Sequence, residues 1–315
     1  MIVVYVNHGL GNQMFQYAYG LVLGKKTNSR KIMYDLSEVR RKIAGRKMWD
    51  VNKIFVGNFP KCDFIHLWQV TGHCPIEYWY KRIINPDAEE LARNVTGRTV
   101  LVSEPKSRCS VTPQKVREIC DYKWTQDKDY YVLGYWEDID YFRGYEALIR
   151  RHFRFQHTFS VSEIKKYKKI FSENSVSVHI RRGDYLKMNK PNNFCICGDD
   201  YYMEAITRMQ KELRNPLFVF FSDDPDYVKE KYKWLDSKLI VEGNRDYFDL
   251  QLMTLCKHNI LANSTFSFWG AFLNSNKRKK VICPRVHYLM FQTKWHEIPF
   301  PSENTWIKLD NIGLG

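Results

Sequence analysis

Two adjacent arginines, Arg181 and Arg182, stand directly after an alternating apolar run, Val176, Val178 and Ile180, with His179 just before them and Gly183-Asp184-Tyr185 just after. A guanidinium keeps its charge at any ordinary pH, so two of them past the end of a buried strand call for an anion. A diphosphate is the natural partner. One guanidinium fork binds it bidentately, and the charge suits an oxyanion that grows as a leaving group departs. Asp184 is placed to orient an arginine. The other reading of this run is a structural Arg–Asp pair in a turn.

A second constellation is Asn263-Ser264-Thr265-Phe266-Ser267-Phe268-Trp269-Gly270. Hydroxyl residues at a helix start cap it and present backbone N–H groups to phosphate; plain capping in front of a buried aromatic turn is the alternative. Near the start, His8-Gly9-Leu10-Gly11-Asn12-Gln13 puts small residues where backbone can approach a ligand, with the positive end of the following helix aimed there. This is neither the GxGxxG fingerprint nor a GxxxxGK phosphate loop. Ser222-Asp223-Asp224-Pro225 offers two acids for a metal, a sugar hydroxyl or helix capping, capping first. Asp249, in the first turn of the helix after Asp246, is placed either to accept the two N–H groups on a guanine edge or merely to favour the helix dipole.

The elements that must position these residues alternate. The sequence predicts strands at Ser175–Ile180, Leu217–Phe221, Lys238–Val241, Ile260–Ala262 and Val281–Cys283, the last closing the series. Between them lie helices capped at Asp199 or Asp200 and at Asp246, one starting at the turn Asp223-Asp224-Pro225 and one opened by Ser264-Thr265. The N-terminus repeats this on a smaller scale: a strand at Ile2–Val6, a glycine-bearing loop at Gly9–Gln13, a helix from Asn12 to Lys25 and a strand at Lys31–Leu36. Glu137–Phe153 reads as one amphipathic helix, and residues 40–130 are irregular. Strand–helix alternation implies parallel sheets with right-handed crossovers. The expected fold is therefore α/β, two Rossmann-like lobes with a central cleft, divided into residues 1–160 and 161–315. Ligands in such sheets bind outside the carboxyl ends of the strands, so the loops after Val6, Ile180, Phe221, Val241 and Ala262 are the ones to watch.

Composition narrows the class. The 315 residues carry a net charge of +14, spread along the chain, which favours anionic partners: nucleic acid, an acidic membrane surface or phosphorylated small molecules. The lysine runs Lys165-Lys166, Lys168-Lys169 and Lys277-Arg278-Lys279-Lys280 read first as solvated faces. Eight cysteines lack a repeated CxxC pair, so we expect reduced structural thiols and no zinc site; Cys195-x-Cys197 alone is weak for metal. The opening apolar run is too short for a signal peptide, and no stretch approaches the ~20 residues of a membrane helix. The expected location is the cytoplasm, or a membrane surface at most. On that reading the sequons at Asn94 and Asn263 carry no meaning.

Together the motifs resemble the α-1,2-fucosyltransferases of glycosyltransferase family 11, chiefly the bacterial members. The resemblance runs nearly end to end: Gly9-Leu10-Gly11-Asn12-Gln13-Met14-Phe15-Gln16-Tyr17-Ala18, Gly134-Tyr135-Trp136, Val178 to Tyr185, Phe221 to Asp224, and Asn263 to Gly270. It implies a two-lobed GT-B-type fold, no metal, no cofactor beyond the GDP-fucose donor, and inversion at the fucose anomeric carbon. The arginines would grip the GDP β-phosphate, Arg181 first and Arg182 in support. Ser264 to Ser267 would lie along the diphosphate and ribose, with Asn263 and His179 beside them. Asp249 would read guanine, Asp224, Gly9, Gly11, Asn12 and Gln13 would belong to the donor site, and Asn12 and Gln13 would lie near the fucose or the acceptor. The implied acceptor is a terminal β-galactose at its 2-hydroxyl, in surface polysaccharide or oligosaccharide synthesis. The C-terminal lobe would hold the donor and the N-terminal lobe the acceptor, with Trp68 and Trp79 shaping the acceptor pocket. The chain departs from the family at His8-Gly9, where a paired glycine is common, and at Phe268-Trp269, where the aromatic pair differs mildly. The general base stays open among Asp184, Glu137 and Asp138. Transfer from another GDP-sugar is the rival within the fold. A basic nucleic-acid-binding protein is the rival outside it, and neither an RNA-binding aromatic motif nor a helix-turn-helix supports it.

Overall fold

The structure, a computed structural model, describes residues 1–28, 31–37, 50–72, 95, 97–105, 111–187, 196–290, 294–297 and 306–311. Trp79, Cys195 and the sequon residue Asn94 lie outside them. The chain divides into two compact units, Met1–Gln156 and His157–Gly315.

The first unit is built on a four-stranded parallel sheet of β1 (Ile2–Tyr5), β2 (Ile32–Asp35), β3 (Thr99–Ser103) and β4 (Asp129–Leu133), in the order β2-β1-β4-β3. Every side chain of β1 is buried, as a central parallel strand covered on both faces requires. Helix α1 (Leu10–Lys26) follows β1 and packs against β1 and β2. It begins two residues earlier than its sequence suggests, because the Gly9 carbonyl already accepts the Gln13 N–H at 3.0 Å. Gly11, Asn12 and Gln13 therefore belong to the first helical turn and not to a loop. Further along α1, Gly20 is a packing requirement: a Cβ there would lie 2.5 Å from the Tyr34 hydroxyl, which donates to the Tyr17 carbonyl at 3.0 Å.

The single helix expected over Glu137–Phe153 is broken. A 3-10 turn at Ile139–Phe142 and a short helix at Glu146–His152 flank Gly144, whose φ of 84° no right-handed helix accommodates.

The second unit carries a six-stranded parallel sheet: β5 (Asn174–Ile180), β6 (Pro216–Ser222), β7 (Lys238–Val241), β8 (His258–Ile260), β9 (Val281–Pro284) and β12 (Trp306–Leu309), in the order β12-β9-β8-β5-β6-β7. An antiparallel hairpin, β10 (Val286–Met290) with β11 (Lys294–Glu297), stands apart. Both faces of the sheet are covered, so successive residues of β6 enter different cores. Phe218 and Phe220 join Val176, Val178, Tyr201, Ile206 and Met209; Leu217, Val219 and Phe221 join Ile170, Leu252 and Met253. Trp306–Leu309, unforeseen in the sequence, pairs with β9 and forms one edge.

Two expected helix caps move by one residue. Gly198 and Arg245 hold the extended N-cap positions of the helices Asp199–Glu212 and Asp246–Leu255. Asp199, Asp200, Asp246 and Asp249 thus stand in the first turns, where they act through the helix dipole. Helices start at Asp223-Asp224-Pro225 and Ser264-Thr265 as the sequence predicts, with Asp224 and Ser264 as the caps, each accepting a backbone N–H. Cys62, Cys120, Cys197, Cys256 and Cys283 are free thiols. Among the described residues no helix is long and apolar enough to cross a membrane.

Candidate active site

Strand order places the chemistry. In the second unit β5 comes first in the chain, β6 and β7 lie on one side of it, and β8 starts the other side. Between β5 and β8 the winding reverses, and that is where doubly wound sheets open a crevice for ligands. The loop leaving β5 holds Arg181 and Arg182, and the loop leaving β8 holds Asn263 and Ser264. Two contacts join these loops. The Tyr185 hydroxyl donates to the Asn263 carbonyl at 3.3 Å, and the His179 ring lies 5.6 Å from that of Phe266.

Both arginines are held by acids at the end of the neighbouring strand β6. Arg181 Nη1 meets Asp223 Oδ2 at 2.8 Å, and Asp223 Oδ1 accepts the Arg182 backbone N–H at 2.9 Å. Arg182 Nε donates to Asp224 Oδ2 at 3.2 Å, and its guanidinium stacks 3.5 Å above the Tyr227 ring. Asp224 also caps the helix Pro225–Lys231 through the Tyr227 N–H at 3.2 Å. The sequence assigns the orienting role to Asp184, in the short helix Gly183–Lys187, whose side chain lies outside the described residues. Among the described side chains, Asp223 and Asp224 form ion pairs with the arginines, because β6 lies beside β5 and brings their ends together. Arg182 is fastened on several sides. Arg181 keeps about a third of its side-chain surface in solvent, 32%. A Cβ at position 183 would lie 2.7 Å from Asp223 Oδ2, so a larger residue there displaces that carboxylate.

His179 is buried, and its Nδ1 is without a hydrogen-bond partner among the described residues. Burial, followed by the Arg181 charge, pulls its pKa down to about 4, so the ring is neutral at physiological pH. Thr265 and Phe266 are half-buried in the first turn of the helix Thr265–Leu273, behind the Ser264 cap. Ser267 is fully buried, and its hydroxyl donates to the carbonyls of Ala262 and Ser264, at 3.1 and 3.0 Å, inside the helix start. That hydroxyl supports the turn and does not face outward.

Asp249 accepts a hydrogen bond from Asn244 Nδ2 at 2.8 Å, and burial lifts its carboxyl to about 6. Asn244 also exchanges hydrogen bonds with the Tyr167 hydroxyl. Next to this group, past the carboxyl end of β7, lies a pocket of about 320 Å³ whose walls include His157, Tyr167, Asn244, Tyr247 and Phe248. Asp223 and Asp224 are committed to arginines and a helix cap, and no group of three metal-ligating side chains occurs among the described residues.

The first unit has its own reversal point, between β1 and β4. Two non-glycine residues there have left-handed backbone: His8, just past β1, with φ 63°, and Trp136, just past β4, with φ 58°. Such conformations cost on the order of 1–2 kcal/mol each, so the surroundings must enforce them. Gln13 Nε2 donates to the His8 carbonyl at 2.7 Å. Gln16 ties the two loops together: it accepts from the Asn7 N–H at 2.9 Å and donates to the Gly134 carbonyl at 3.0 Å. The buried carboxylate of Glu104 accepts from the Tyr135 N–H at 2.7 Å, the Trp136 N–H at 2.8 Å and the Tyr141 hydroxyl at 2.8 Å. Burial raises Glu104 to about 7, although those hydrogen bonds oppose the rise. Trp136 stacks on Tyr19 at 4.1 Å. The exposed His8 ring meets Tyr135 edge-on at 5.2 Å, with Nε2 3.2 Å from the Tyr135 hydroxyl. Gly9, the N-cap of α1, would have open space around an added Cβ, so its own packing does not demand glycine. Of the base candidates in this unit, Asp138 caps the 3-10 turn through the Asp140 N–H, and burial raises it to about 6.

Sequence reasoning did not find Glu104, the Asp223–Arg181 bridge or the strained His8. A lone Glu104 before Pro105 carries no local signal, and the acids lie 42 residues beyond the arginines they hold. His8 standing where a glycine is common was the one available clue.

Comparison with known proteins adds the lineage. The alpha-1,2-colitosyltransferase of Escherichia coli is 26% identical over 98% of this chain and 99% of its own length. The E. coli O-antigen biosynthesis glycosyltransferase WbnK is 29% identical over 88% of this chain and 91% of its own. Human galactoside alpha-(1,2)-fucosyltransferase 1 matches at 31% identity, over 31% of this chain and 28% of its own. Among solved structures, the NodZ alpha-1,6-fucosyltransferase co-crystallized with GDP superposes with a TM-score of 0.49 at 14% identity, over 85% of this chain and 90% of that one. The family model described as glycosyl transferase family 11 matches residues 1–308, and the chain belongs to that family.

Proposed function

We propose that this glycosyltransferase moves fucose from GDP-fucose to the 2-hydroxyl of a terminal β-galactose, with inversion at the fucose anomeric carbon. The observation that carries the reading is the partly exposed Arg181 at the β5–β8 reversal, braced by Asp223 at 2.8 Å. A braced guanidinium is preorganised for the charge that develops on a departing diphosphate, and it costs no reorganisation as the bond breaks. Arg182 supports it. The N–H groups behind Ser264 and Thr265 receive the diphosphate. Asp249 accepts from guanine, with the pocket walled by Tyr167, Tyr247 and Phe248 as the base site. The unit from His157 onward holds the donor. The first unit is the acceptor side, while its loop residues Gly9, Gly11, Asn12 and Gln13 also serve the donor, Asn12 and Gln13 lying near the fucose or the acceptor. The reaction is a direct displacement: the acceptor oxygen attacks the anomeric carbon, the bond to the β-phosphate oxygen breaks, and GDP leaves with the electron pair. The net charge of +14 suits work at an anionic membrane surface, where lipid-linked glycans lie.

A second donor is favoured by one observation. A relative covering 98% of the chain is named a colitosyltransferase. Colitose is fucose without its 3-hydroxyl, so the same diphosphate and guanine contacts serve both. The test is incubation with GDP-fucose and GDP-colitose against a panel of galactosides, with linkage analysis of the product. A 1,2-linked fucosyl galactoside supports the reading. Transfer from GDP-colitose alone replaces the donor, and a product at another hydroxyl overturns the linkage.

A further inference from the structure

We infer that His8 and Tyr135 form a proton relay for the acceptor hydroxyl, Tyr135 touching the acceptor and His8 taking the proton from Tyr135. The inference rests on the transferase reading above and goes beyond it, because the general base was open among Asp184, Glu137 and Asp138.

Four observations support it. The pair stands at the reversal between β1 and β4, the place in a parallel sheet where ligands are received. The hydroxyl of Tyr135 lies 3.2 Å from His8 Nε2, so one proton passes between them without rearrangement. Both residues keep solvent access: His8 is exposed and Tyr135 half-buried. And the pair is held in place at a cost. His8 adopts a backbone conformation that glycine takes freely and histidine does not, and a hydrogen bond from Gln13 to its carbonyl holds it there. Tyr135 is pinned through its N–H by the buried Glu104, beside a second left-handed residue, Trp136. Strain that the surroundings enforce belongs to functional positions more often than to structural ones. The rival base Asp138 is committed to capping a turn.

The step balances. As the acceptor oxygen bonds to the anomeric carbon, its proton goes to the Tyr135 oxygen while the Tyr135 proton goes to His8 Nε2. The electron pair of the broken C–O bond leaves with the diphosphate. Among the described residues, the titratable groups near the relay include the Tyr135 phenol itself, Glu104 behind the Tyr135 N–H, and Glu137 on the same loop; α1 contributes hydrogen bonds from the uncharged Gln13 and Gln16.

The test separates chemistry from folding. Glycine at position 8 relieves the backbone, so His8→Gly is expected to melt no lower than wild type and to bind GDP unchanged. Its kcat for transfer is expected to fall by about a hundredfold, within the usual range for loss of a general base. The acid limb of the kcat–pH profile should flatten, and added imidazole should restore part of the rate. Tyr135→Phe should lower kcat to a similar degree with GDP binding intact. If His8→Gly fails to fold, His8→Asn, which tolerates the left-handed conformation, is read in its place. A His8 variant with kcat within twofold of wild type, or one that loses GDP binding along with turnover, overturns the relay. If the wild-type enzyme binds GDP but transfers no sugar to any galactoside, the transferase reading has failed and the relay falls with it; transfer by wild type with unchanged kcat in the His8 variants overturns the relay alone.

Discussion

Replacing Glu104 with glutamine probes the network that shapes the first unit's ligand end. Glu104 is 4% exposed, and its carboxyl pKa rises from the ordinary 4.5 to about 7. The folded state therefore holds the proton to higher pH than the unfolded chain does. Stability from this group is fully present below about pH 4.5, declines as pH rises, and levels off above about 7. A shift of this size corresponds to about 3 kcal/mol, at roughly 1.4 kcal/mol per pH unit. Glutamine keeps an oxygen for the N–H groups of Tyr135 and Trp136 and has no charge to bury, so the Glu104→Gln protein should lack this decline. Other groups titrate nearby. Asp138 and Asp249, raised to about 6, act in the same direction, and His179 and His258, lowered to about 4, act in the opposite one. Subtracting the two proteins' curves cancels them. The assay is urea unfolding of both at half-unit intervals from pH 4.5 to 8. The expected difference curve favours the variant progressively, by a total on the order of 2–3 kcal/mol. Parallel curves across that range would show that Glu104 ionises as an ordinary carboxylate, and the argument from its burial would fall.

Four further outcomes are expected. Arg181→Ala should lower kcat by about two to three powers of ten, the usual loss for an oxyanion donor, and near-normal turnover would count against its phosphate role. In Gly183→Ala the new Cβ would sit 2.7 Å from Asp223 Oδ2 and 3.2 Å from its Cγ, so the aspartate must move off Arg181. GDP affinity by calorimetry should drop about tenfold, roughly 1.4 kcal/mol, and an unchanged Kd would argue that the bridge does not matter. If Asp249 accepts from guanine as a carboxylate, GDP affinity should weaken as pH falls through about 6, by up to about tenfold per unit, and Asp249→Asn should remove that dependence. Asn259 is fully buried, donating to Ser177 and Met253 and accepting from Asn274; Asn259→Leu should cost about 3 kcal/mol in urea unfolding, the sum of three buried bonds.

Much of this molecule was legible in the residues alone. Parallel β/α alternation, the carboxyl-end loops and the arginine and serine motifs follow from local patterns: apolar runs of strand length, capping residues at helix starts, and a charge that burial cannot tolerate unpaired. The caps at Asp224 and Ser264 are local hydrogen bonds, so local sequence was enough to predict them. What the sequence left open depends on neighbours far apart in the chain. The strand order β12-β9-β8-β5-β6-β7 brings Asp223 to Arg181 and sets the Asn263 loop across from the arginines. The order β2-β1-β4-β3 does the same for His8 and Tyr135, 127 residues apart, and for Glu104 beneath them. Gly144 broke a helix that periodicity alone would have carried through, since its conformation is set by how the chain turns back and not by the apolar spacing around it. Residue type determined which groups can carry charge or a proton. Only the packed sheets decided which of them meet, and how deeply each carboxylate or imidazole is removed from water, because desolvation belongs to a surrounding shell that no short stretch of sequence contains.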